Sequence, residues 1–528
     1  MTLAKITHSG GRVSAVRDAS AIYRSADVCV IGSGPGGAVT AHLLARRGLR
    51  VLLLEEGDRV GPGATLEALE PGWEPALARL GRRRPALVGR PWSARALGGG
   101  MGLFAGIGFR LRHVDFDARE HVADDALDPR WPIAYADLRE HYDEMERLLG
   151  VARTRGADPL EPDGAPASLP PHAYSPPGRL LAGAGRHLGL RPFPTPLLIN
   201  SAEYRGRPAC HRCGPCNEHA CPTGAKADVV ATLLDPAVEE GSLVVATGSR
   251  ALRVRASACD RVSAVEWLDQ RAEVRHTTRA RCVVLAANAV QSSALLLRSP
   301  SRWSPAGLGN RHDVVGRGLC FKVSGYAAGT VSTPTRSAHS AGGPFSTVSF
   351  SDHYLDDACP KGLGGILYEA SPAERAPRDG RLPLRVHYLA ADQPMWRNRV
   401  RLSKKKNGLG APQLMMEYAT HPLDAARLRY LAEKAKKLLA QAGAADIRLE
   451  ESGYERGSRH LHGGCRAGDD PRTSVVDADG RIHDQENVYV VDGGFFPYPG
   501  GVNPTFTILA NASRIARRIA RDLATATI

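Results

Sequence analysis

The chain has 528 residues, 43% hydrophobic and 23% charged, enough for two or three domains around sizeable cores, which excludes a disordered or fibrous protein. Its formal charge of +14 comes mainly from arginines scattered among Ala, Gly and Pro, with tight runs only at Arg82-Arg83-Arg84 and Lys404-Lys405-Lys406. That pattern argues against a nucleic-acid surface and leaves steering of an anionic substrate or an acidic electron-transfer partner.

The first residues, MTLAKITHSGGRVSAVRD, lack the apolar core of a secretory signal, and no run approaches the roughly 18 apolar residues of a membrane span. Ten cysteines in a chain of this length do not make a disulfide framework. A soluble, cytoplasmic protein is expected. The first strong element is Val28-Cys29-Val30-Ile31, an apolar, β-branched run that reads as a buried strand. Gly32-Ser33-Gly34-Pro35-Gly36-Gly37 follows, then a helical stretch from Ala38 to Gly48 with Val39, Leu43 and Leu44 on one face. A second apolar strand, Val51 to Leu54, runs into Glu55.

Gly32, Gly34 and Gly37 spell G-x-G-x-x-G between strand and helix. There a tight turn, a close approach to a pyrophosphate and helix-on-sheet packing each exclude a side chain. The helix N-terminus offers unpaired N–H groups to phosphate, and Glu55 stands where a carboxylate accepts from both ribose hydroxyls. A single fingerprint near the N-terminus points to FAD rather than NAD. A second glycine cluster at Leu97-Gly98-Gly99-Gly100 and the tip Asp492-Gly493 can approach the same dinucleotide.

From 126 to 205 the text is Pro-rich, with one helical patch from Tyr135 to Leu149. Cys210, Cys213, Cys216 and Cys221 then make C-x2-C-x2-C-x4-C before Pro222, one residue longer at the last gap than the bacterial ferredoxin run. Thiolates so spaced suit an iron-sulfur cluster or zinc, and equally a metal-free structural loop. Leu243 to Val245 and Cys282 to Leu285 read as further sheet strands. Alternating segments follow at Lys322 to Val331, Phe345 to Phe350, Leu384 to Ala390, Val400 to Leu402 and Gln413 to Tyr418, the pattern of an antiparallel meander. Leu428, Leu431, Ala435, Leu438 and Ala442 mark an amphipathic helix that ends at Gly443. The strand-like run Val488 to Val491 ends at Asp492-Gly493, and a terminal helix begins near Thr505. The expected fold is α/β: a Rossmann-like FAD-binding domain from 20–125, 206–320 and 456–528, with an inserted antiparallel-sheet substrate domain from 126–205 and 321–455.

Near the C-terminus stand His460-Leu461-His462-Gly463-Gly464-Cys465, then Asn487 to Gly493, then Asn503-Pro504-Thr505. With Gly98-Gly99 and Ala286-Ala287-Asn288-Ala289 before Leu295-Leu296-Leu297, this order resembles the glucose-methanol-choline (GMC) family of flavin oxidoreductases, cholesterol oxidase-like bacterial members included. Its pattern reads H-x-x-G-[TG]-C, N-x-[YF]-V-x-D and [HN]-P before a terminal helix.

The resemblance implies a p-hydroxybenzoate hydroxylase-like architecture and places Gly98 and Gly99 at the pyrophosphate and Asp492 and Gly493 at the phosphate-ribityl region. It also places Asn503, Pro504 and Thr505 at the flavin pyrimidine edge, and Leu252 at the adenine by a backbone contact. His460 and Asn503 would face the reactive ring. Hydride leaves a carbinol carbon only as the hydroxyl loses its proton, so a neutral imidazole suits the base and an amide suits the alkoxide. His460 is thus the expected base and Asn503 the orienting group. In an extended segment His462 would project to the same side, leaving it as a competing base or half of a two-His metal site.

The loop Gly100-Met101-Gly102-Leu103-Phe104 departs from the Ser and Asn common in the family, and with no His there the FAD is expected to be non-covalent. Bacterial relatives share a cysteine segment ending in C-x-x-G-A-K, here Cys221 to Lys226, without a metal. The expected activity is oxidation of a CH–OH group to an aldehyde or ketone, with hydride passing to flavin N5 and then to oxygen or another acceptor. The expected substrate is a sugar, an aminoglycoside-like compound or another polyhydroxylated metabolite. A sterol or bulky hydrophobic alcohol is the alternative, as is a flavin electron-transfer subunit that uses the Cys210–Cys221 loop.

Overall fold

The computed structural model describes residues 19–69, 77–80, 86–87, 93–213, 216–332, 343–371, 381–451 and 460–525. The first eighteen residues and the run Arg82-Arg83-Arg84 lie outside them. Three separated segments build a seven-stranded sheet in the order Leu243–Ala246, Val51–Leu54, Ser25–Ile31, Val274–Leu285, Val262–Asp269, Ser249–Ala256, with Val488–Val490 also on Val274–Leu285. Its central pairs are parallel, with Val28 opposite both Val51 and Cys282. Parallel strands are covered on both faces, which is why Val28 to Ile31 and Val51 to Leu54 are apolar throughout and buried. The helix Pro35–Ala45 begins with Pro35 in its first turn, where the missing N–H costs nothing, and the terminal helix Thr505–Ala524 packs on it.

A six-stranded sheet runs Ala445–Glu451, Val323–Ser332, Arg381–Ala390, Gly365–Glu369, Val348–Phe350, Phe193–Pro194. Its described pairings are antiparallel. The helix Pro422–Gln441 lays Leu428, Leu431, Ala435, Leu438 and Leu439 on one face, against Val323, Ala327, Leu384 and Val386. Burying each of these leucines contributes about 1.5–3 kcal/mol. Because side chains alternate along a strand, Arg385 and His387 point away from this helix and line the main cavity, joined there by Tyr326 and Tyr368.

One expectation changes here. Val400 to Leu402 and Gln413 to Tyr418 do not join the six-stranded sheet: the strands Arg399–Lys406 and Pro412–Tyr418 form a four-stranded sheet with Leu77–Leu80 and Ala86–Leu87. Alternation marks a strand but carries no address for its partner. The helix Tyr135–Leu149, assigned from sequence to the substrate domain, packs on the terminal helix. There the Tyr142 hydroxyl bonds Thr507 Oγ1 at 2.7 Å and Ser513 Oγ donates to Glu144 at 2.5 Å. Among the described residues no helix is long and apolar enough to cross a membrane.

Candidate active site

The fingerprint glycines divide their tasks. Gly32 has φ +98°, and a Cβ there would lie 2.5 Å from the Ala286 carbonyl oxygen; one on Gly37 would lie 1.9 Å from that of Gly32. Both therefore serve turn and packing. A Cβ on Gly34 would meet nothing within 4 Å, because Gly34 faces open cavity. Ser33, between them, donates to Glu55 Oε2 from its backbone N–H at 3.0 Å and from Oγ at 2.6 Å, while Gly57 N–H reaches Oε1 at 2.7 Å. Ser33 Oγ also accepts the Gly98 N–H at 2.9 Å. Burial pushes the Glu55 carboxyl up to about 7; with four lone-pair sites and three donors, it keeps acceptor capacity toward the cavity.

That cavity has a volume of about 620 Å³, the size range of small-molecule and cofactor sites. Of the residues singled out from sequence, Gly32, Gly34, Glu55, Gly99, His460, Asp492, Gly493, Asn503, Pro504 and Thr505 line it. Asp492 is held by Ser292 Oγ at 2.6 Å and Gly494 N–H at 2.7 Å, and burial pushes it up to about 6. The terminal helix opens at Thr505, so its first-turn N–H groups abut the cavity.

Gly37 and Gly98 stand just behind the lining. Leu252 does not line the cavity: the pairing of its strand is irregular between Ala251 and Arg253, and Ser249, Arg250 and Ala251 line it instead. The open face at Gly34, the spare acceptor on Glu55 and a buried Asn503 Oδ1 with no partner fit a bound FAD.

The structure separates the two histidines. His460 lines the cavity. His462 is buried and pairs by backbone with Cys320, 3.0 Å in each direction. Its ring packs on Phe496 at 5.2 Å, and neither ring nitrogen has a partner. The two rings stay beside each other, with centroids 6.4 Å apart, but only His460, with Leu461, reaches the cavity lining. Burial and the nearby Lys322 charge push the His460 imidazole down to about 3.

Lys322 has no signal in its sequence context. Fully buried, it donates through Nζ to the carbonyls of Pro499 at 2.6 Å, Gly500 at 2.7 Å and Val502 at 2.5 Å. The N–H of Gly501 reaches the Tyr354 hydroxyl at 2.7 Å, and that hydroxyl is held by Asp115. The loop that presents Asn503 is thus clamped from beneath.

On the substrate side Asn503 and Tyr368 both line the cavity, and the Tyr368 hydroxyl lies 2.5 Å from His387 Nδ1. Tyr326 stacks on His387, and the Arg385 guanidinium sits 3.6 Å over Tyr326 and pairs with Glu450 at 2.9 Å. Sequence reasoning missed this group. The available signal was polar residues at alternate positions of apolar strands.

The cysteines find separate partners. Cys210 Sγ accepts from Arg212 N–H at 3.4 Å, Cys216 Sγ donates to the Gly343 carbonyl at 3.5 Å, Cys221 Sγ contacts Thr223 Oγ1 at 3.4 Å, and Cys213 is exposed. Among the described residues no three of His, Cys, Asp and Glu gather as a metal-ligand set.

A Rossmann-type sheet, a dinucleotide cavity and a second sheet that closes it define a flavin-dependent oxidoreductase. Residues 173–324 and 394–512 match the family models for GMC oxidoreductase, and 30–78 that for an NAD(P)-binding Rossmann-like domain. The chain is 48% identical over 503 residues to 6'''-hydroxyparomomycin C oxidase of Streptomyces lividus, covering 94% of this chain and 92% of that protein. It is 46% identical over 504 residues to paromamine 6'-oxidase of Streptomyces fradiae, with the same coverage. Among solved structures, pyridoxine 4-oxidase from Mesorbium loti superposes with a TM-score of 0.67 at 22% identity, covering 94% of this chain and 99% of that one. A formate oxidase of Aspergillus oryzae gives 0.69 at 16%, covering 95% and 99%. The chain belongs to the GMC oxidoreductase family: it is an FAD-dependent enzyme that oxidises CH–OH groups.

Proposed function

We propose that the substrate is an aminoglycoside-like amino sugar, one of whose carbinols becomes an aldehyde, and that oxygen is the electron acceptor. The observation that carries this reading is identity of 48% and 46% to two aminoglycoside oxidases over 94% of the chain, a span that includes the substrate-side sheet. The cavity wall there suits a polyhydroxylated ligand, since Ser324, Tyr326, Tyr368, Ser371 and His387 supply ring faces and hydrogen-bonding groups together. A cationic substrate approaches a chain of charge +14 against its field, so the steering of anions expected from composition has no place in this reading. Ten cysteines in 528 residues make no disulfide framework, which supports a reducing, cytoplasmic setting.

In the proposed reaction His460, neutral above about pH 3, takes the proton of the carbinol hydroxyl. Asn503, on the loop that Lys322 clamps, holds the hydroxyl oxygen as its charge develops. Bound FAD supplies the hydride acceptor, N5. The test is anaerobic mixing of the FAD-loaded enzyme with paromamine and with sugar, sterol and simple alcohol panels, followed by oxygen. Bleaching of the flavin by paromamine, and peroxide formed with the aldehyde, is the expected result. Bleaching by sterols alone would overturn the substrate reading, and slow reoxidation without peroxide would overturn oxygen as acceptor.

A further inference from the structure

The His387 ring is fixed by its strand partners. Tyr326 and Tyr368 stand directly across from it on the two neighbouring strands, with ring centroids at 4.5 Å and 4.9 Å. Its protonation pattern follows from the hydrogen bonds. Asn503 Oδ1 has no partner, so it does not take the Tyr368 hydroxyl proton. The one proton of the Tyr368 hydroxyl then goes to His387 Nδ1, 2.5 Å away. A neutral imidazole that accepts at Nδ1 carries its proton on Nε2. The described residues offer that N–H no acceptor, and His387 lines the cavity. Among the described residues the charged and titratable groups that face the ring are Arg385, His460, Tyr326 and Tyr368, none of them a carboxylate, and burial holds the ring neutral.

We propose that His387 is a specificity-determining residue whose Nε2–H donates to a substrate oxygen other than the one being oxidised, while Tyr368 is a positioning residue that fixes the His387 tautomer. A neutral donor selects a hydroxyl, ring or glycosidic oxygen and rejects an ammonium. The amino groups of an amino sugar therefore lie elsewhere, and a substrate that lacks this oxygen leaves a buried donor unpaired. The inference rests on the polyhydroxylated-substrate reading above.

Anaerobic stopped-flow reduction of FAD-loaded wild type, H387L, H387Q and Y368F by paromamine separates Kd from the reduction rate. For H387L, Kd rises roughly tenfold, the worth of one hydrogen bond, and the rate falls much less. H387Q, whose amide can donate, recovers most of the affinity. In Y368F Kd also rises, because His387 loses the hydroxyl that keeps its proton on Nε2. An H387Q no better than H387L, or a rate loss with unchanged Kd in H387L, overturns the proposal.

A wild type that paromamine does not reduce refutes the substrate reading instead. Imidazole 15N shifts, with His387 identified by its absence from H387Q, then judge the dyad without substrate. A neutral, Nε2-protonated ring at pH 7 that loses its tautomer preference in Y368F is expected. An Nδ1-protonated or cationic ring overturns the proposal.

Discussion

Replacing Lys322 by Met tests whether the clamp beneath Asn503 works as the geometry requires. The change removes three bonds from Nζ to the carbonyls of Pro499, Gly500 and Val502, each worth about 1.5–3 kcal/mol for a charged donor. It also removes a buried charge. Burial pushes the lysine down from 10.5 to about 7, and at about 1.36 kcal/mol per pKa unit that offsets about 5 kcal/mol of the gain. The net destabilisation should therefore lie between about 0 and 4 kcal/mol, well below the sum of the bonds.

The sign of the pH dependence is fixed. The unfolded chain keeps the proton up to pH 10.5 and the folded chain to about 7, so between those values the unfolded state binds more protons and this group makes stability rise with pH. K322M loses that slope. The reduction rate should fall about tenfold or more as Asn503 loses its anchor. Because the Lys322 charge helps hold His460 down, the acid limb of the rate should move to higher pH. Denaturant titrations at several pH values and stopped-flow pH profiles read both effects. A variant with wild-type reduction rate, stability slope and acid limb would refute the clamp.

Other outcomes follow from the same geometry. H460A should bind FAD and remain at least about a hundredfold slower in reduction by substrate; reduction at the wild-type rate would sink the assignment of the base. A Cβ on Gly34 meets nothing within 4 Å, whereas one on Gly37 lies 1.9 Å from a backbone oxygen. G34A should thus keep the apoprotein Tm and lose FAD occupancy, while G37A should lose Tm; the reverse ranking would contradict the division of tasks. With Cys210, Cys216 and Cys221 on separate partners and Cys213 exposed, anaerobic purification should give flavin absorbance without stoichiometric iron, as metal analysis checks.

Local chemistry was legible from the sequence and remote chemistry was not. The strand, turn, helix, strand and acid from Val28 to Glu55 are contiguous, and each residue type is demanded by a neighbour or by the dinucleotide, so the pattern names the site. The H-x-x-G-G-C and N-P segments were legible in the same way. Which of two histidines faces the cavity was not, because that depends on how the chain pairs with Cys320, 142 residues earlier in sequence. The substrate side was the least visible. Tyr326, Tyr368 and His387 come from three strands and meet only through cross-strand register, which alternation alone does not specify.

The cysteine segment shows what such a motif can encode besides a metal site. Its last residue, Lys226, is buried, and its Nζ donates to the carbonyls of Phe104 at 2.7 Å, Cys216 at 2.8 Å and His219 at 2.7 Å. Lys322 does the same for the loop before Asn503. Phe104, Cys216 and His219 line the cavity, as does Asn503. Each lysine thus gathers the carbonyls of an irregular wall segment that no sheet or helix ladder satisfies. Burial depresses both amines, to about 8 and about 7, so holding these walls costs the protein part of its stability.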